Sequence, residues 1–458
     1  MKKALPVLIR FLVVSMISVP AAWAQVDPDA SEKTVTLYEN LKKIQNGHSF
    51  LFGQEFFNSF RFNSGSAHGD KTYSDSHAVT GAHPAVLGSD FHYYIDKSET
   101  ERTYHTEAVK WAYQQGYAIT FDWHISAMGT TSYESGAATT DLVNNIVGDE
   151  SSEERAWLLG ELDKVIDIIN NDLVVDGERI PIVFRPWHEM NGGWFWWGSS
   201  ETSALNYKLL YQLTVDYIRE RTNTVLFCWS PNTPTNFDYY PGDDYVDVLG
   251  LDIYELTATS LRQQIAPIID HAQEHDKVAV LSETGNRTAD PEDAAGYWFD
   301  TVLPAIKDDP NDKARKIAWV LTWINSSWSY PYVAHSASPS AAKQSFVKFK
   351  ESPYAMFGNE IQNMYTPWII TDTEDGIVAE ELIRVSPVPT ADQLIIRLFN
   401  LKHKSDITIY DITGRIIHQL EMRSPEETFD AKSILSPGIY VLRATISTRT
   451  VSKKFIVE

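Results

Sequence analysis

The sequence has 458 residues with 61 acidic and 39 basic side chains, which gives a formal net charge of −22 at pH 7. This negative charge argues against binding to nucleic acid or to an anionic membrane surface, because both carry negative charge themselves. The single cysteine, Cys228, excludes an intramolecular disulfide, so the chain has to be held by its hydrophobic core.

The first 24 residues have the composition of a secretory signal peptide. Lysines at positions 2 and 3 precede an apolar run, and Ala22 and Ala24 at its end form a small-residue cleavage pattern. An uncleaved membrane anchor is the alternative, but the run is short, contains Arg10 and is followed by no stop-transfer pattern. We therefore predict cleavage after Ala24 and an exported, soluble protein.

From Leu51 onward, short apolar or β-branched runs alternate with longer segments of helical periodicity. Eight runs are predicted as strands: LFGQE (51–55), AVLGSD (85–90), YAITFDWH (117–124), IVFRPWHEM (182–190), VLFCWSP (225–231), YVDVLGLDIY (245–254), KVAVLSETG (277–285) and IAWVLTWINS (317–326). Helices are predicted near 103–115, 153–171, 204–221, 259–275, 291–308 and 339–350. This alternation predicts a (β/α)8 TIM barrel. A doubly wound open sheet is the alternative, but no strand is followed by a GxGxxG or P-loop motif.

Polar and aromatic residues gather at the C-terminal ends of these predicted strands. They are Gln54 and Glu55, Asp90, Asp122 to His124, His188 and Glu189, Trp229, Asp252 and Tyr254, Glu283 and Trp323. In a (β/α)8 barrel the C-terminal strand ends converge on one opening, the mouth, where enzymes of this fold carry out their chemistry. The repetition in nearly every unit argues against polar strand ends scattered by chance, and predicts an active site at the mouth.

Two carboxylates have special neighbours: Glu189 in WHEMNGG and Glu283 in VLSETG. They end the fourth and seventh predicted strands, on opposite sides of the barrel axis. Two carboxylates facing each other across a pocket are the minimum requirement for cleaving a glycosidic bond, one as proton donor and one as nucleophile or base. Either glutamate alone is as readily explained by an ion pair, with Arg185 or Arg287 as its partner.

Four tryptophans surround Glu189 in RPWHEMNGGWFWWG, residues 185–198. Indole rings pack against the C–H faces of sugars, and desolvation by such rings raises the proton affinity of a carboxylate. Because side chains alternate along a strand, Trp187 and Trp196 are candidates for the core. Trp194 is the preferred sugar contact.

Other kinds of site have less support. A zinc site at His124 and His188 is one alternative, but neither histidine lies in an HExxH or other ligand-spaced cluster, so we expect no metal and no cofactor. The segment 63–84 contains three histidines and is predicted to be a solvated loop rather than a site. No GxSxG elbow is present, so no Ser-His-Asp triad is expected.

At these residues the chain resembles glycoside hydrolase family 26, mainly endo-β-1,4-mannanases that retain anomeric configuration on a (β/α)8 barrel. The matching stretches fall within residues 35–350 and are LFGQE, PAVLGSD, FDWH, RPWHEMNGGWFWWG, YYPGDDYVDVLGLDIY, SETG and WVLTW. The resemblance implies that Glu189 is the acid/base and Glu283 the nucleophile. It also implies contacts to the sugar from the remaining site residues: His124, His188, Trp194, Tyr254 (beside the nucleophile) and Trp323.

One position departs from the family pattern. Many members have an arginine directly after the tryptophan that corresponds to Trp323, where it helps to hold a sugar on the non-reducing side, and this chain has Ile324. The resemblance therefore implies weaker binding on that side. The family also contains exo-acting enzymes that release mannobiose and enzymes that cleave β-glucans or β-xylans, so these activities stay open as alternatives.

From about Ser386 the sequence changes to short alternating strands, which predicts a separate small β-sandwich. The predicted parts are a signal peptide (1–24), the catalytic barrel (25–370), a linker (371–385) and the sandwich (386–458). Through ITIYDITGRII, SPGIYVLRA and KKFIVE the tail resembles the C-terminal sorting domain of the type IX secretion system, although the usual opening YPNPA appears only as SPVPT. A carbohydrate-binding module is the alternative, but most aromatics of the tail fall where strand cores are expected.

Together, these features predict a retaining endo-β-1,4-mannanase that is secreted or held at the cell surface and needs no metal. Its expected partners are a β-mannan substrate and, through the C-terminal domain, the export machinery, and we expect a monomer. The rival function is that of a non-catalytic carbohydrate-binding protein on a decayed barrel. The presence of both glutamates and of His188 in their motifs argues against that rival.

Overall fold

The computed structural model describes residues 25–47, 49–64, 69–254 and 257–368 and, in the C-terminal region, 383–386, 390, 392–398, 404–412, 414–446 and 449–458. The predicted signal peptide and most of the predicted linker lie outside these residues. Within the described part of the chain, no helix has the length and apolar character needed to cross a membrane.

Eight parallel strands form the barrel sheet, and the two residues Ala355–Met356 add a short parallel strand beside the first of them. The eight are β1 Phe50–Glu55, β2 Val86–Asp90, β3 Ala118–Asp122, β4 Ile182–Arg185, β5 Val225–Trp229, β6 Val248–Leu249 with Asp252–Tyr254, β7 Val278–Ala279 with Leu281–Gly285, and β8 Trp319–Thr322. Strand β1 is buried along its whole length, as are β2, β3, β4, β5 and β8. Burial of both faces explains why these strands begin with apolar or β-branched residues that do not alternate with polar ones.

The sheet closes into the predicted (β/α)8 barrel. Each strand pairs with its successor, and β8 returns to β1 with Leu51 opposite Trp319. Strands β6 and β7 pair through both of their segments, with Val248 opposite Val278 and Asp252 opposite Glu283. An open doubly wound sheet is therefore excluded.

Helices connect the strands and cover the outside of the barrel. They are α1 Glu32–Asn46, α2 Asp75–Thr80, α3 Glu99–Gln114, α4 Leu142–Gly148, α5 Glu153–Asp167, α6 Ala204–Arg219, α7 Ala258–Glu274, α8 Pro291–Tyr297, α9 Leu303–Lys307 and α10 Ser340–Lys350. The longest begin after a serine or threonine whose hydroxyl accepts a backbone N–H of the first turn, as Ser98 does before α3 and Thr257 before α7.

The sequence prediction missed three of these helices, α1, α2 and α4. Helix α2 lies inside the segment 63–84, so the prediction of a solvated loop is wrong there, and Asp75 and Ser76 at its start are buried. Cys228 is buried in β5, as expected for a core cysteine.

The C-terminal region contains antiparallel strands and one short helix. They are β9 Ile383–Ser386, β10 Gln393–Leu398, β11 Ser405–Asp411, β12 Ile416–Met422, β13 Glu426–Asp430, α11 Ala431–Ile434, β14 Gly438–Ile446 and β15 Arg449–Val457. The strands form two sheets, in the orders β9-β10-β13 and β12-β11-β14-β15, around a core that includes Leu394, Ile407 and Leu442. The predicted all-β architecture is confirmed, and the predicted domain start at 386 falls on the last residue of β9.

Candidate active site

The segment after β4 presents Glu189 at the mouth through strained backbone. The predicted strand 182–190 ends at Arg185, and Trp187 and Glu189 follow with φ angles of 54° and 53°. Residues other than glycine rarely adopt this left-handed conformation, and it persists only where neighbours fix it. Here the Glu189 N–H donates to the Ser230 carbonyl at 2.8 Å, and the Trp187 indole N–H donates to Thr214 Oγ1 at 3.0 Å.

Both carboxylate oxygens of Glu189 accept a hydrogen bond. Asn232 Nδ2 donates to Oε1 at 2.8 Å, and Trp194 Nε1 donates to Oε2 at 2.7 Å. Burial, and after it the negative charge of Glu283, raises the pKa of Glu189 to about 7, although the two hydrogen bonds act in the opposite direction. Glu189 therefore exchanges a proton near neutral pH, as a general acid and base must.

The four tryptophans around Glu189 do not act as one group. Trp187, Trp196 and Trp197 are buried and pack against one another, whereas 43% of Trp194 is exposed. The hydrogen bond from Trp194 favours the ionised carboxylate, so the prediction that tryptophans raise the proton affinity of Glu189 is wrong for this contact. The prediction of core positions for Trp187 and Trp196 is confirmed.

Glu283, at the end of β7, is held by two donors on its two carboxylate oxygens. Tyr254 Oη donates to Oε2 at 2.6 Å, and Arg185 Nη2 donates to Oε1 at 2.5 Å. The hydroxyl groups of the two residues next to Glu283 have other partners: Ser282 donates to Asp252, and Thr284 pairs with Tyr297. Adjacent side chains of a strand point to opposite faces, which explains why Ser282 and Thr284 do not reach Glu283.

Arg185 is the centre of a buried ionic cluster. Besides Glu283, its guanidinium donates to Asp252 Oδ2 at 2.7 Å and to Asp122 Oδ2 at 3.1 Å. Burial raises the pKa of Asp122 and of Asp252 well above the usual range, and the Arg185 charge acts against this. From the sequence, Arg185 was considered only as an ion-pair partner that would give one glutamate a structural role. In the structure, Arg185 pairs with Glu283, which is one of the two glutamates.

The carboxyl groups of Glu189 and Glu283 lie close together across the mouth. One oxygen each of Glu189, Glu283 and Asp252 lies within 4.8 Å of the other two. Asp252 is completely buried, with 0% of the residue exposed, and Arg185, Ser230 and Ser282 donate to its two oxygens. The two carboxyl groups left to face a substrate are therefore those of Glu189 and Glu283.

His124, His188 and Trp323 come together beside the glutamates. His124 Nδ1 lies 2.8 Å from Asp90 Oδ2, and its ring centre lies 4.7 Å from that of His188 and 5.8 Å from that of Trp323. Burial, with the positive charge of Arg185, holds the pKa of His188 well below its usual range, so this imidazole is neutral. The structure thus brings three of the five predicted sugar contacts together, whereas Trp194 contacts Glu189 and Tyr254 contacts Glu283.

Ile324 does not face the mouth. It is buried against Phe56 and Phe60 in a small apolar cluster, on which Trp323 also packs. Because Ile324 is apolar and only 1% exposed, it offers no hydrogen bond to a sugar, and the weaker binding implied for that side stays a prediction.

Two exposed aromatic residues near the mouth were missed in the sequence. Trp328 and Tyr330 follow β8, with 51% and 41% of the residue exposed. The Trp328 ring packs edge-on against Phe60 at 6.2 Å, and the Tyr330 ring lies 6.1 Å from Tyr332. The sequence does contain a signal for these two residues, because aromatic residues in the polar stretch SSWSYP after the last strand indicate exposed aromatic side chains.

Three groups of potential metal ligands occur among the described residues. Two lie at the mouth: Asp122 with His124 and His188, and the three carboxylates of Glu189, Asp252 and Glu283. In both, Arg185 already pairs with at least one of the carboxylates. The third group, Asp243 with His271 and His275, lies away from the mouth.

Two family models match the sequence. The model described as glycosyl hydrolase family 26 matches residues 26–321, and the model described as a secretion system C-terminal sorting domain matches residues 384–458. The second match confirms the predicted secretion or attachment to the cell surface.

Characterised relatives of the chain are mannan endo-1,4-β-mannosidases. The protein of Bifidobacterium adolescentis is 26% identical over 424 residues, which cover 80% of this chain and 41% of the relative. The protein of Bacillus subtilis strain 168 is 26% identical over 354 residues, which cover 72% of this chain and 90% of the relative. The chain thus spans less than half of the first relative and most of the second.

Solved structures give the same likeness. A double mutant of the Cellulomonas fimi endo-β-1,4-mannanase superposes with a TM-score of 0.66 and 26% identity, covering 95% of this chain and 99% of that one. The GH26 β-mannanase of Bacteroides ovatus superposes with a TM-score of 0.63 and 29% identity, covering 73% and 98%. These matches agree with the barrel described above.

Proposed function

The chain belongs to glycosyl hydrolase family 26, and on this premise we propose that it is an endo-acting, retaining hydrolase of β-1,4-mannosidic bonds in mannan, glucomannan or galactomannan. The observation that carries the proposal is the close approach of Glu189 and Glu283, whose nearest carboxyl oxygens lie within 4.8 Å. Retaining glycosidases hold their two carboxyl groups about 5–5.5 Å apart, whereas inverting enzymes need about 6.5–9.5 Å to admit a water molecule. The names of the characterised relatives support β-mannan as the substrate.

In the first step, protonated Glu189 donates its proton to the glycosidic oxygen while a carboxylate oxygen of Glu283 attacks the anomeric carbon. The bond between that carbon and the leaving group breaks, and a glycosyl-enzyme ester forms on Glu283. Hydrogen bonds from Arg185 and Tyr254 stabilise Glu283 as an anion before the attack. The Glu189 carboxyl supplies the proton. Burial raises its pKa to about 7, so a large share of the carboxyl is protonated near pH 7.

In the second step, ionised Glu189 removes a proton from a water molecule whose oxygen attacks the same carbon. Glu283 leaves as a carboxylate, and two inversions restore the original anomeric configuration. The donors Asn232 and Trp194 favour the ionised state that Glu189 adopts between the two steps.

The remaining predicted residues are proposed to position the sugar. Trp194 is exposed beside the acid/base, so we assign it to the sugar on the leaving-group side. His124, His188 and Trp323 pack together and are assigned to the sugar that reacts. Neutral His188 suits this role, because a charged imidazole next to Arg185 would be destabilised.

The chain ends are proposed to serve export. A signal peptide over 1–24 and a linker over 371–385 flank the proposed catalytic domain, 25–370, and the C-terminal domain, 386–458, is proposed to engage the export machinery. The proposed catalytic unit is a monomer, since the groups assigned to catalysis all come from one barrel.

Product sizing on a panel of β-mannans, β-glucans and β-xylans tests this proposal. We expect mannans to be cleaved to oligosaccharides of mixed length, and Glu283→Ala to abolish cleavage of every substrate. Glu189→Ala is expected to keep reacting with mannosides that have an activated aryl leaving group, and added azide is expected to accelerate its turnover. Glu134→Ala, which removes an exposed glutamate from the segment next to Trp194, is the matched control and keeps full activity. Release of mannobiose alone, or preference for a β-glucan or β-xylan, contradicts the assigned activity.

A further inference from the structure

Three potential metal ligands lie together at the end of the barrel opposite the mouth. His271 is in the last turn of α7, His275 follows α7 directly, and Asp243 opens the 3₁₀ turn Asp243–Tyr245 before β6. One potential ligand atom of each residue lies within 4.8 Å of those of the other two. His275 Nδ1 and Asp243 Oδ2 form a hydrogen bond of 2.6 Å, which a bound ion would have to replace.

The spacing of the two histidines places both rings on one face of the helix. Residues four apart lie one turn above each other, and the two rings stack with their centres 4.1 Å apart. Phe237 stacks on the His271 ring at 4.6 Å and holds it in place. The Nε2 atom of His271 is buried without a hydrogen-bond partner among the described residues. Such an atom is costly to bury, and a bound cation is one way to satisfy an imidazole nitrogen.

Asp243 is oriented for this role by its neighbours. Tyr240 Oη donates to Asp243 Oδ1 at 2.8 Å, which leaves Oδ2 on the side of His275. Lys277 donates to the backbone carbonyl of Asp243 rather than to its carboxylate. An outer hydrogen-bond partner such as Tyr240 orients a carboxylate that binds a metal ion.

Solvent reaches the group through an adjoining cavity. The side chains of His275 and Asp243 are 31% and 45% exposed. The cavity has a volume of about 600 Å³, and its lining includes His275, the basic residues Arg219 and Lys277, and the acidic residues Asp243, Asp244 and Asp276. An ion can therefore enter and retain water ligands, at a site where carboxylates outnumber the two basic side chains.

We propose that His271, His275 and Asp243 bind a divalent transition metal ion, with Zn²⁺ as the best match. Two imidazoles and one carboxylate are a zinc ligand set, with water in the fourth position, whereas Mg²⁺ and Ca²⁺ prefer oxygen ligands alone. The ion joins the end of α7 to the segment that enters β6, so its role is structural. It takes no part in hydrolysis at the mouth, and the proposal does not depend on the proposed function. In the sequence, this pair of histidines four residues apart is visible as HAQEH, residues 271–275.

The test uses full-length protein without a histidine tag, stripped with a chelator and titrated with Zn²⁺ by calorimetry and native mass spectrometry. We expect one equivalent to bind, the unfolding temperature to rise, and the initial rate of hydrolysis to stay unchanged. Loss of an outer partner alone weakens metal sites by about 10–100-fold, so His271→Ala and His275→Ala should each weaken binding by more than about tenfold. If an alanine variant fails to fold, Asp243→Asn replaces it in the test. This substitution keeps the shape of the side chain and should also weaken Zn²⁺ binding.

The chain offers a matched control in a second pair of stacked histidines. The rings of His77 and His83 lie 4.3 Å apart but belong to none of the three ligand groups found among the described residues. His77→Ala should therefore bind Zn²⁺ as the unaltered protein does. Unchanged binding in the His271 and His275 variants overturns the proposal, as does binding that is lost only in His124→Ala, which would place the ion at the mouth. Failure of the unaltered protein to bind Zn²⁺, or tighter binding of Mg²⁺ or Ca²⁺, also overturns it.

Discussion

Trp194 donates its indole N–H to Oε2 of Glu189 at 2.7 Å. This bond lowers the pKa of Glu189, which is nevertheless raised to about 7 because burial has the larger effect. In Trp194→Phe the donor is lost but an aromatic ring remains, so the pKa of Glu189 should rise. Because Glu189 has to be protonated to act as the acid, the alkaline limb of the pH profile of kcat/KM should move to higher pH. A hydrogen bond to a charged group is worth about 1.5–3 kcal/mol, which corresponds to a shift of about one unit or more.

Trp328→Phe is the control for this measurement, because Trp328 is the other exposed tryptophan near the mouth. Its profile should keep the alkaline limb of the unaltered enzyme. An alkaline limb in Trp194→Phe that stays in place or moves to lower pH contradicts the assignment of that limb to Glu189.

Removal of Arg185 should destabilise the fold. Arg185→Met leaves Asp122, Asp252 and Glu283 without their shared cation, and loss of one partner of a buried ion pair costs about 3–5 kcal/mol. The free energy of unfolding is measured by urea denaturation. Arg221→Met removes an exposed arginine paired with Glu220 on the surface, and should change this free energy by less than about 0.5 kcal/mol.

The deficit of Arg185→Met should depend on pH. Burial already holds the pKa of Asp122 and Asp252 in the folded protein well above the usual range, and loss of the cation raises it further. A carboxyl with a raised folded-state pKa contributes stability below its unfolded pKa of about 4 and loses it as the pH rises. The deficit should therefore be small near pH 4 and grow toward neutral pH. A deficit that is constant across this range contradicts the description of a carboxylate cluster neutralised by Arg185.

Ile324→Arg should destabilise the protein rather than improve sugar binding. Ile324 is 1% exposed in an apolar cluster with Phe56 and Phe60, so an arginine there is either buried without a partner or forces the loop open. The expected loss, from the cost of a buried unpaired charge, is about 3 kcal/mol or more in the free energy of unfolding. Ser327→Arg, at an exposed position of the same segment, is the control and should be neutral. A stable Ile324→Arg variant that binds short oligosaccharides more tightly contradicts this picture.

Deletion of residues 383–458 should leave hydrolysis of soluble mannan intact. The buried core of these residues is separate from that of the barrel, and all the residues assigned to catalysis lie before position 324. Initial rates of the purified truncated protein should match those of the full chain, while its distribution between cells and medium should change. A truncated protein that folds but has lost most of its turnover would give the tail a part in substrate binding.

The barrel was predictable because each strand is buried on both faces. Strand β5 is apolar throughout and β3 begins with the apolar or β-branched residues AITF, so both are recognisable without knowing their neighbours. Short helices such as α2 and α4 have only six or seven residues, too few to display a periodic apolar face.

The two glutamates were predictable as a pair, but their partners were not. Glu283 pairs with Arg185, which lies 98 residues away in sequence. The contacts of Ser282 and Thr284 depend on which way each side chain leaves β7, where the register against β8 shifts between Leu281 and Thr284. The burial of Ile324 likewise depends on the path of a loop, for which strand periodicity gives no guide.

The most direct test of a double displacement through Glu189 and Glu283 is the anomeric configuration of the first product. A β-1,4-manno-oligosaccharide is hydrolysed in an NMR tube, and the anomeric proton of the new reducing end is followed before mutarotation. One carboxyl oxygen of Glu189 and one of Glu283 lie within 4.8 Å of each other, which is typical of a retaining enzyme. We therefore expect the β-anomer to appear first and then to equilibrate with the α-anomer. If the α-anomer appears first, water attacks the sugar directly, and Glu283 is not the nucleophile.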